Sequence, residues 1–212
     1  TGCKRWKAVL FALPPFPPLP SARRKRHRPL EHTGVDYFGP ISVRNKGQQE
    51  KRWIALFTCF TTRAIHLEVV HDLSATACIY AFHLFFGRRG IPTTLYSDNG
   101  TQLKAVHKVF CEALNEVIQT EEVNNFLRML QIQWTFITSH APWKGGLYER
   151  LIGLTKPALR PAIGRKLLSD AELATLCTEV EAIINTRPLA PLHDSTTVAL
   201  RPIDFLTPMQ TS

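Results

Sequence analysis

The 212-residue sequence contains no apolar run that approaches the ~18 residues of a membrane-spanning helix, so we expect no membrane partner. Its five cysteines lie far apart, which excludes a disulfide framework and a self-contained zinc finger and is typical of a reducing compartment. The apolar run Ala8–Leu13 is too short for the core of a secretion signal. Apolar residues make up 44% of the chain, enough for a packed core, and the length suits one domain with short extensions.

Acidic residues are absent from residues 1–30, which contain eight Lys or Arg and therefore carry +8 of the formal net charge of +9. Five prolines crowd residues 14–20 and predict an extended linker. A basic arm of this kind suits phosphate binding through counterion release, although a solvated charge run or a nuclear-targeting patch has the same composition. Because the chain begins at Thr1, we interpret it as part of a longer protein.

The remainder of the chain has a second basic excess. Residues 141–166 contain six Lys or Arg against one Glu, a net charge of 6 − 1 = +5. Residues 167–212 contain two basic against six acidic residues, a net charge of 2 − 6 = −4. If DNA binds the globular part, we expect it to lie over the first of these segments.

The pattern of apolar residues predicts a mixed α/β domain. Five strands are predicted, at Thr33–Val43, Trp53–Phe60, Ala64–Val70, Thr93–Ser97 and Ile132–Ile137. Helices are predicted over Ser74–Phe86, 103–117, 121–130 and Gly146–Thr155, and after a capping box of Ser169 and Glu172. Three strands followed by α/β alternation indicate a mixed sheet flanked by helices over a core of residues 31–190, with an irregular tail over 191–212.

Three carboxylates stand apart from the ordinary surface acids. Asp36 lies within an apolar strand, where a charge is costly unless it is paired or bound to a metal. Asp98 directly follows a strand, and Glu149 follows a glycine-rich loop in the first turn of a predicted helix. Each also has a structural interpretation, because Asp98 suits an Asn-Gly turn, Glu149 a helix dipole, and Asp36 a hydrogen-bonded buried carboxylate. Strand-end loops are where α/β sheets gather their chemistry, so the three are candidates for one site.

Carboxylates that converge require cations, and hard oxygen ligands favour Mg²⁺ or Mn²⁺. Two such ions about 3.5–4 Å apart activate an attacking oxygen and stabilise a leaving oxygen in phosphoryl transfer. The eight histidines and five cysteines show no ligand spacing, and we interpret His66 and His71 as packing or surface residues.

Three segments together resemble the integrase catalytic core of LTR retrotransposons, and most of all that of the Bel/Pao group: Gly34–Pro40 (GVDYFGP), Ser97–Thr101 (SDNGT) and Ala141–Arg150 (APWKGGLYER). Thr62–Glu68 and Ile184–Leu189 are similar to that family as well. The resemblance extends over about residues 14–207, and the three motifs in this order make it specific.

The resemblance implies a ribonuclease-H-like fold, a mixed five-stranded sheet flanked by helices, with a D,D,E triad. By motif position the catalytic residues and metal ligands are Asp36, Asp98 and Glu149, which would hold two Mg²⁺ or Mn²⁺ ions. The implied reaction is processing of element DNA ends by water, followed by attack of the 3′-hydroxyl on target DNA. Asp98 and Glu149 are separated by 50 residues, more than in retroviral integrases, and an extra helical stretch near 115–131 accounts for the difference.

DNA is the implied partner, and the candidates for positioning it are polar or basic residues near the triad and in the arm. They are Asn99, Gln102, Lys144, Lys156, Arg23, Arg24, Lys25 and Arg26. Lys156 lies two helical turns after Glu149 on the same face, although a solvated surface lysine would have the same spacing. The family also implies a homo-oligomer that acts in the nucleus and is made in the cytoplasm within a polyprotein.

Two features depart from the family pattern. Residues around Cys3 resemble the end of the family's zinc-binding module, so we interpret residues 1–30 as a remnant of that module, a proline-rich linker and a basic arm. Pro157 and Pro161 lie where the catalytic helix should continue, and an interior proline kinks or breaks a helix. Two alternative functions therefore stay open: a metal-dependent nuclease of the same fold, and an inactive or host-adopted DNA-binding relic.

Overall fold

A computed structural model of the chain describes residues 26–97, 105, 132–136, 142–163, 167–189 and 199–206. Its strands are β1 (His32–Asn45), β2 (Gln48–Cys59), β3 (Ile65–Val70), β4 (Thr94–Ser97) and β5 (Gln133–Phe136). Its helices are α1 (Ala75–Arg89), α2 (Pro142–Ile163), α3 (Asp170–Asn185) and α4 (Ile203–Leu206). Within these ranges, none of the helices has both the length and the apolar character of a membrane span.

The five strands form one mixed sheet in the order β3-β2-β1-β4-β5. Strands β1, β2 and β3 are an antiparallel meander, and β4 and β5 join β1 in parallel. The predicted α/β class, with a mixed five-stranded sheet flanked by helices, is confirmed. Strands β1 and β2 are longer than predicted, because they continue as a two-stranded ribbon past a register shift between Phe38 and Ile41.

Successive side chains of a strand point to opposite faces, and the sheet has buried apolar side chains on both. Helices therefore cover both faces. On one face, Phe57 of β2 packs against Phe82 of α1. On the other, Leu56 belongs to a buried cluster with Leu159 of α2 and Leu173 of α3. The sheet is therefore the middle layer of three, with α1 on one side and α2 and α3 on the other.

Helix α2 differs from its prediction at both ends. It begins at Pro142 and continues through Pro157 and Pro161 to Ile163, whereas the sequence pattern predicted a helix over Gly146–Thr155 and a kink or break at the prolines. A proline removes one backbone hydrogen bond and crowds the carbonyl four residues earlier, at a cost of about 3 kcal/mol. Burial of Leu159, which lies between the two prolines and is 1% exposed, offsets part of this cost.

Two of the predicted helices lie almost entirely outside the described residues. The helices predicted over 103–117 and 121–130, with the extra stretch near 115–131, lie outside the described residues except for residue 105, which is helical. Helix α4, a single short turn, lies in the segment predicted to be irregular.

The outer edge of β3 is covered by the carboxyl-terminal half of α3. The Asn185 side chain accepts a hydrogen bond from the Ile65 N–H at 2.8 Å and donates one to the Ile65 carbonyl at 2.9 Å. Glu181 accepts from the Leu67 N–H at 2.8 Å. Residues 65 and 67 are the alternate positions of β3 whose backbone groups face away from β2. The side chains of Asn185 and Glu181 therefore bind the groups that a sixth strand would bind, and they protect the edge of the sheet.

We expect Asn185→Leu to lower the free energy of unfolding by about 2–4 kcal/mol, because it leaves a buried N–H and a buried C=O of Ile65 unpaired, each at a cost of at least about 1 kcal/mol. Chemical denaturation measures this difference. The matched control is Glu179→Leu on the exposed side of the same helix, which we expect to change stability by less than about 0.5 kcal/mol. Equal effects of the two substitutions would contradict the edge-capping role.

Candidate active site

The site is organised by the junction of β1 and β4. These strands run parallel, and Ser97, the last residue of β4, pairs with Val35. The next residue of β1 is Asp36, and the next residue after Ser97 in the sequence is Asp98, which lies outside the described residues. Parallel α/β sheets bind their ligands at the carboxyl ends of strands, and Asp36 stands beside the carboxyl end of β4.

Asp36 lies on the face of the sheet that α2 covers. Strand alternation places it on the same face as Phe38, and Phe38 belongs to the buried cluster with Leu151 and Leu159 of α2. The carboxylate is half-buried, and its Oδ1 accepts a hydrogen bond from the Tyr37 N–H at 2.7 Å. A carboxylate in this position stays close to α2 and retains access to solvent.

Helix α2 supplies the third predicted residue of the triad. Glu149 lies on this helix, although its side chain is outside the described part of the structure. Lys156 follows it by seven residues, about two turns. The Lys156 Nζ lies 5.6 Å from the centre of the Phe38 ring, within range of a cation–π interaction. The helix therefore passes directly beside the strand that carries Asp36.

An open groove of about 770 Å³ continues from this point between β1 and the second half of α2. The bulged segment of β1 forms one wall, and Lys156 and Arg160 lie on the other. Lys156 and Arg160 are exposed, and their cations give the groove a positive rim that suits a polyanion. Lys156, which we predicted from its spacing to Glu149, thus lines a groove next to the strand of Asp36.

The remaining predicted DNA contacts are less fully described. Arg26 is exposed, and Lys144 lies on α2 with a side chain that is not described. The other five fall outside the described residues: Asn99, Gln102, Arg23, Arg24 and Lys25.

Sequence reasoning missed a buried polar network between β3 and helices α1 and α3. His66 is 3% exposed, with Nε2 2.7 Å from the Glu68 carboxylate and Nδ1 3.0 Å from that of Glu181. Arg88 pairs with Glu68, and Arg89 pairs with Glu181. His71, by contrast, is exposed. The resemblance had marked the segments around His66 and after Glu181 without assigning them a role, and the structure shows that they bind each other.

We expect this network to make the free energy of unfolding depend on pH. Burial favours neutral His66, but the hydrogen bonds that its ring donates to Glu181 and Glu68 outweigh burial and raise the pKa of His66 above its ordinary 6.5. This stabilisation is complete below pH 6.5 and is lost as the pH rises through the higher pKa of the folded state. Thermal midpoints should therefore fall above pH 6.5 more steeply in the wild type than in His66→Gln, with His71→Gln matching the wild type. Parallel curves for His66→Gln and wild type would contradict the assignment.

A second group of possible metal ligands lies at the start of β1. His27 Nδ1 is 3.4 Å and His32 Nε2 is 4.0 Å from Glu31 Oε1. Metal-bound histidines ordinarily donate their second ring nitrogen to an acceptor, whereas the buried Nδ1 of His32 has no hydrogen-bond partner among the described residues. The predicted triad of Asp36, Asp98 and Glu149 consists of hard carboxylates, a type of ligand that fits Mg²⁺ or Mn²⁺ better than this group with two histidines does.

No protein-family model matches the sequence, and no curated protein matches it. The fold, however, is similar to a chain in the cryoEM structure of the simian T-cell lymphotropic virus intasome in complex with PP2A regulatory subunit B56 gamma. The two are 15% identical with a TM-score of 0.57, over 94% of this chain and 62% of that one. This chain therefore spans less than two thirds of the length of that neighbour.

Two further neighbours are structures of the HTLV-2 integrase catalytic core domain in complex with magnesium. The dimeric form is 14% identical with a TM-score of 0.53, and the trimeric form 15% identical with a TM-score of 0.52. In each case the match covers 85% of this chain and 98% of the neighbour. The described mixed five-stranded sheet flanked by helices thus has the same ribonuclease-H-like fold as these catalytic core domains.

Proposed function

We propose that this chain is the catalytic core of a retroelement integrase of the Bel/Pao type, which inserts element DNA into target DNA by two-metal phosphoryl transfer. The observation that carries the proposal is the position of Asp36: a half-buried carboxylate beside the carboxyl end of β4, on the sheet face covered by the helix that carries Glu149. The integrase-core fold supports the same conclusion, since the neighbouring structures place that fold in integrases.

The triad of Asp36, Asp98 and Glu149 would hold two Mg²⁺ or Mn²⁺ ions. Bound divalent ions supply charge neutralisation for phosphoryl transfer and acidify an attacking water or hydroxyl. The residues of the chain then have two tasks. The carboxylates fix the reacting centre at the β1–β4 junction, and the cations of Lys156 and Arg160 bind the DNA backbone along the adjacent groove.

Both proposed steps use this single site. In end processing, water attacks a phosphodiester near the end of the element, a new P–O bond forms, and a 3′-hydroxyl leaves. In strand transfer, that 3′-hydroxyl attacks a target phosphodiester and a target 3′-hydroxyl leaves, so bonds and charge balance without a protein nucleophile. We also propose a homo-oligomer, by analogy with the dimeric and trimeric forms of the HTLV-2 core domain. We propose the nucleus as the place of action because the proposed reaction inserts DNA into target DNA.

The test is a disintegration assay, the reverse of strand transfer, on a branched DNA substrate with Mg²⁺ or Mn²⁺. We expect joined products from the wild type and none from Glu149→Gln. Cut but unjoined products would favour a metal-dependent nuclease instead. No product, together with no metal binding by calorimetry, would favour a DNA-binding relic. The continuous helix α2 counts against the relic, because Pro157 and Pro161 do not end the helix that carries Glu149.

A further inference from the structure

Three arginines line a small pocket beside the β2–β3 turn. Arg63 lies in the β2–β3 turn, Arg150 on α2, and Arg187 just after α3. The pocket has a volume of about 150 Å³, well above the ~10–15 Å³ that one water needs by the same measure, so it has room for a small oxyanion. Two leucines, Leu154 and Leu189, form part of its wall.

The three arginines have no ion-pair partner within the part of the chain that the structure describes. Among the described residues, no carboxylate oxygen lies within 4.0 Å, the ion-pair distance, of these three side chains. Arg52 and Arg89, by contrast, each form an ion pair. Burial, and then the charges of Arg63 and Arg150, lower the pKa of Arg187 below its ordinary value. Like charges that converge without a counter-charge are costly, and an anion between them removes that cost.

The pocket is also held in shape before any ligand binds. Arg187 donates from Nη1 to the Ile184 carbonyl at 2.6 Å and from Nη2 to the Arg63 carbonyl at 2.8 Å. Arg63 is in the left-handed region, with φ of 58°, which is uncommon for a residue other than glycine. Two of the five N–H groups of Arg187 are used in this way, which leaves three for a ligand as far as the described residues show.

We propose that this pocket binds one phosphate group of a DNA strand, away from the phosphodiester that reacts; this assignment rests on the proposed function. A compact tetrahedral oxyanion matches the guanidinium fork, and the apolar wall suits a sugar. Strand spacings put Arg63 on the order of 15 Å from Asp36, within half a ~34 Å turn of duplex DNA. Arg150 directly follows Glu149, so one helix contributes to both sites.

The test is the salt dependence of DNA binding, measured by fluorescence polarisation with a labelled duplex in EDTA. Each lost phosphate contact lowers the slope of log K against log salt by about 0.9. We expect that decrease for Arg150→Gln and for Arg63→Gln, and no change for Arg44→Gln, an exposed control with the same charge difference at the far end of β1. Arg187 is left intact, because its hydrogen bonds hold the pocket together.

A second arm uses inorganic phosphate alone. We expect phosphate to raise the thermal midpoint of the wild type and of Arg44→Gln, and to do so less for Arg150→Gln. Equal slopes for all variants would overturn the assignment, whether or not free phosphate protects the wild type. Binding in EDTA needs no metal, so this test is independent of catalysis. If the variants lower the slope but the disintegration assay gives no joined product, the phosphate-binding assignment holds and the proposed catalysis is rejected.

Discussion

Asp36→Asn is expected to lower the rate of metal-dependent DNA joining by about 10³-fold or more. A metal ligand at the reacting centre stabilises transition-state charge by several kcal/mol, and each 1.36 kcal/mol is a factor of ten in rate. Asparagine keeps the size of the side chain and an oxygen that can accept the Tyr37 N–H, so we expect the fold to survive. The rate comes from the disintegration assay under single-turnover conditions.

Two controls make that result specific. Glu179→Gln removes one exposed carboxylate on α3 and should leave the rate unchanged. The thermal midpoint and the DNA affinity of Asp36→Asn in EDTA should match those of the wild type, since neither depends on bound metal. A rate within tenfold of the wild type would show that Asp36 is only a hydrogen-bonded strand carboxylate, the structural interpretation that the sequence left open.

Glu181→Leu is expected to produce the largest loss of stability, about 3–5 kcal/mol. Glu181 is 8% exposed and serves three partners: the Leu67 N–H, the His66 ring and the Arg89 guanidinium. Its removal leaves the edge N–H of Leu67 without this acceptor and takes one carboxylate partner from each of His66 and Arg89, while His66 keeps Glu68. Denaturant unfolding gives the difference directly.

The matched variant is Glu181→Gln, which keeps an acceptor for the Leu67 N–H but removes the charge. We expect it to lie between the wild type and Glu181→Leu. The pKa of Glu181 is lowered: burial opposes this, and the hydrogen bond and charge of His66 outweigh burial. The contribution of its charge is therefore present above pH 4.5 and is lost as the pH falls through the lower folded pKa. Glu181→Gln should converge with the wild type in acid, whereas Glu181→Leu should not, because it still lacks an acceptor for the Leu67 N–H. A loss below 1 kcal/mol near neutral pH would refute this account of α3.

The sequence pattern predicts the sheet well, because each strand carries its own local signal. Trp53–Phe60 and Ala64–Val70 alternate and are rich in aromatic and β-branched residues, and the structure pairs them as β2 and β3. Asp36 was conspicuous for the same reason, since a charge interrupts an otherwise apolar strand. The capping box of Ser169 and Glu172 likewise marks the start of α3, and both of its hydrogen bonds are present.

What the sequence could not show depends on residues far apart in the chain. The Asn185 contact with Ile65 spans 120 residues, and the Glu181 contact with Leu67 spans 114, so no local period reveals them. The continuity of α2 was predicted wrongly because helix propensity at Pro157 was weighed without the tertiary burial of Leu159. The arginine pocket joins a turn and two helices, and only the fold brings them together.

The most direct test of the central claim is anomalous scattering from Mn²⁺ in crystals of this chain. The account predicts two Mn²⁺ peaks about 3.5–4 Å apart, with Asp36, Asp98 and Glu149 as the protein ligands. Both peaks should disappear in Asp36→Asn crystals grown in the same form. No peak at Asp36, or a peak only at His27, Glu31 and His32, would contradict the assignment of this site as a two-metal centre.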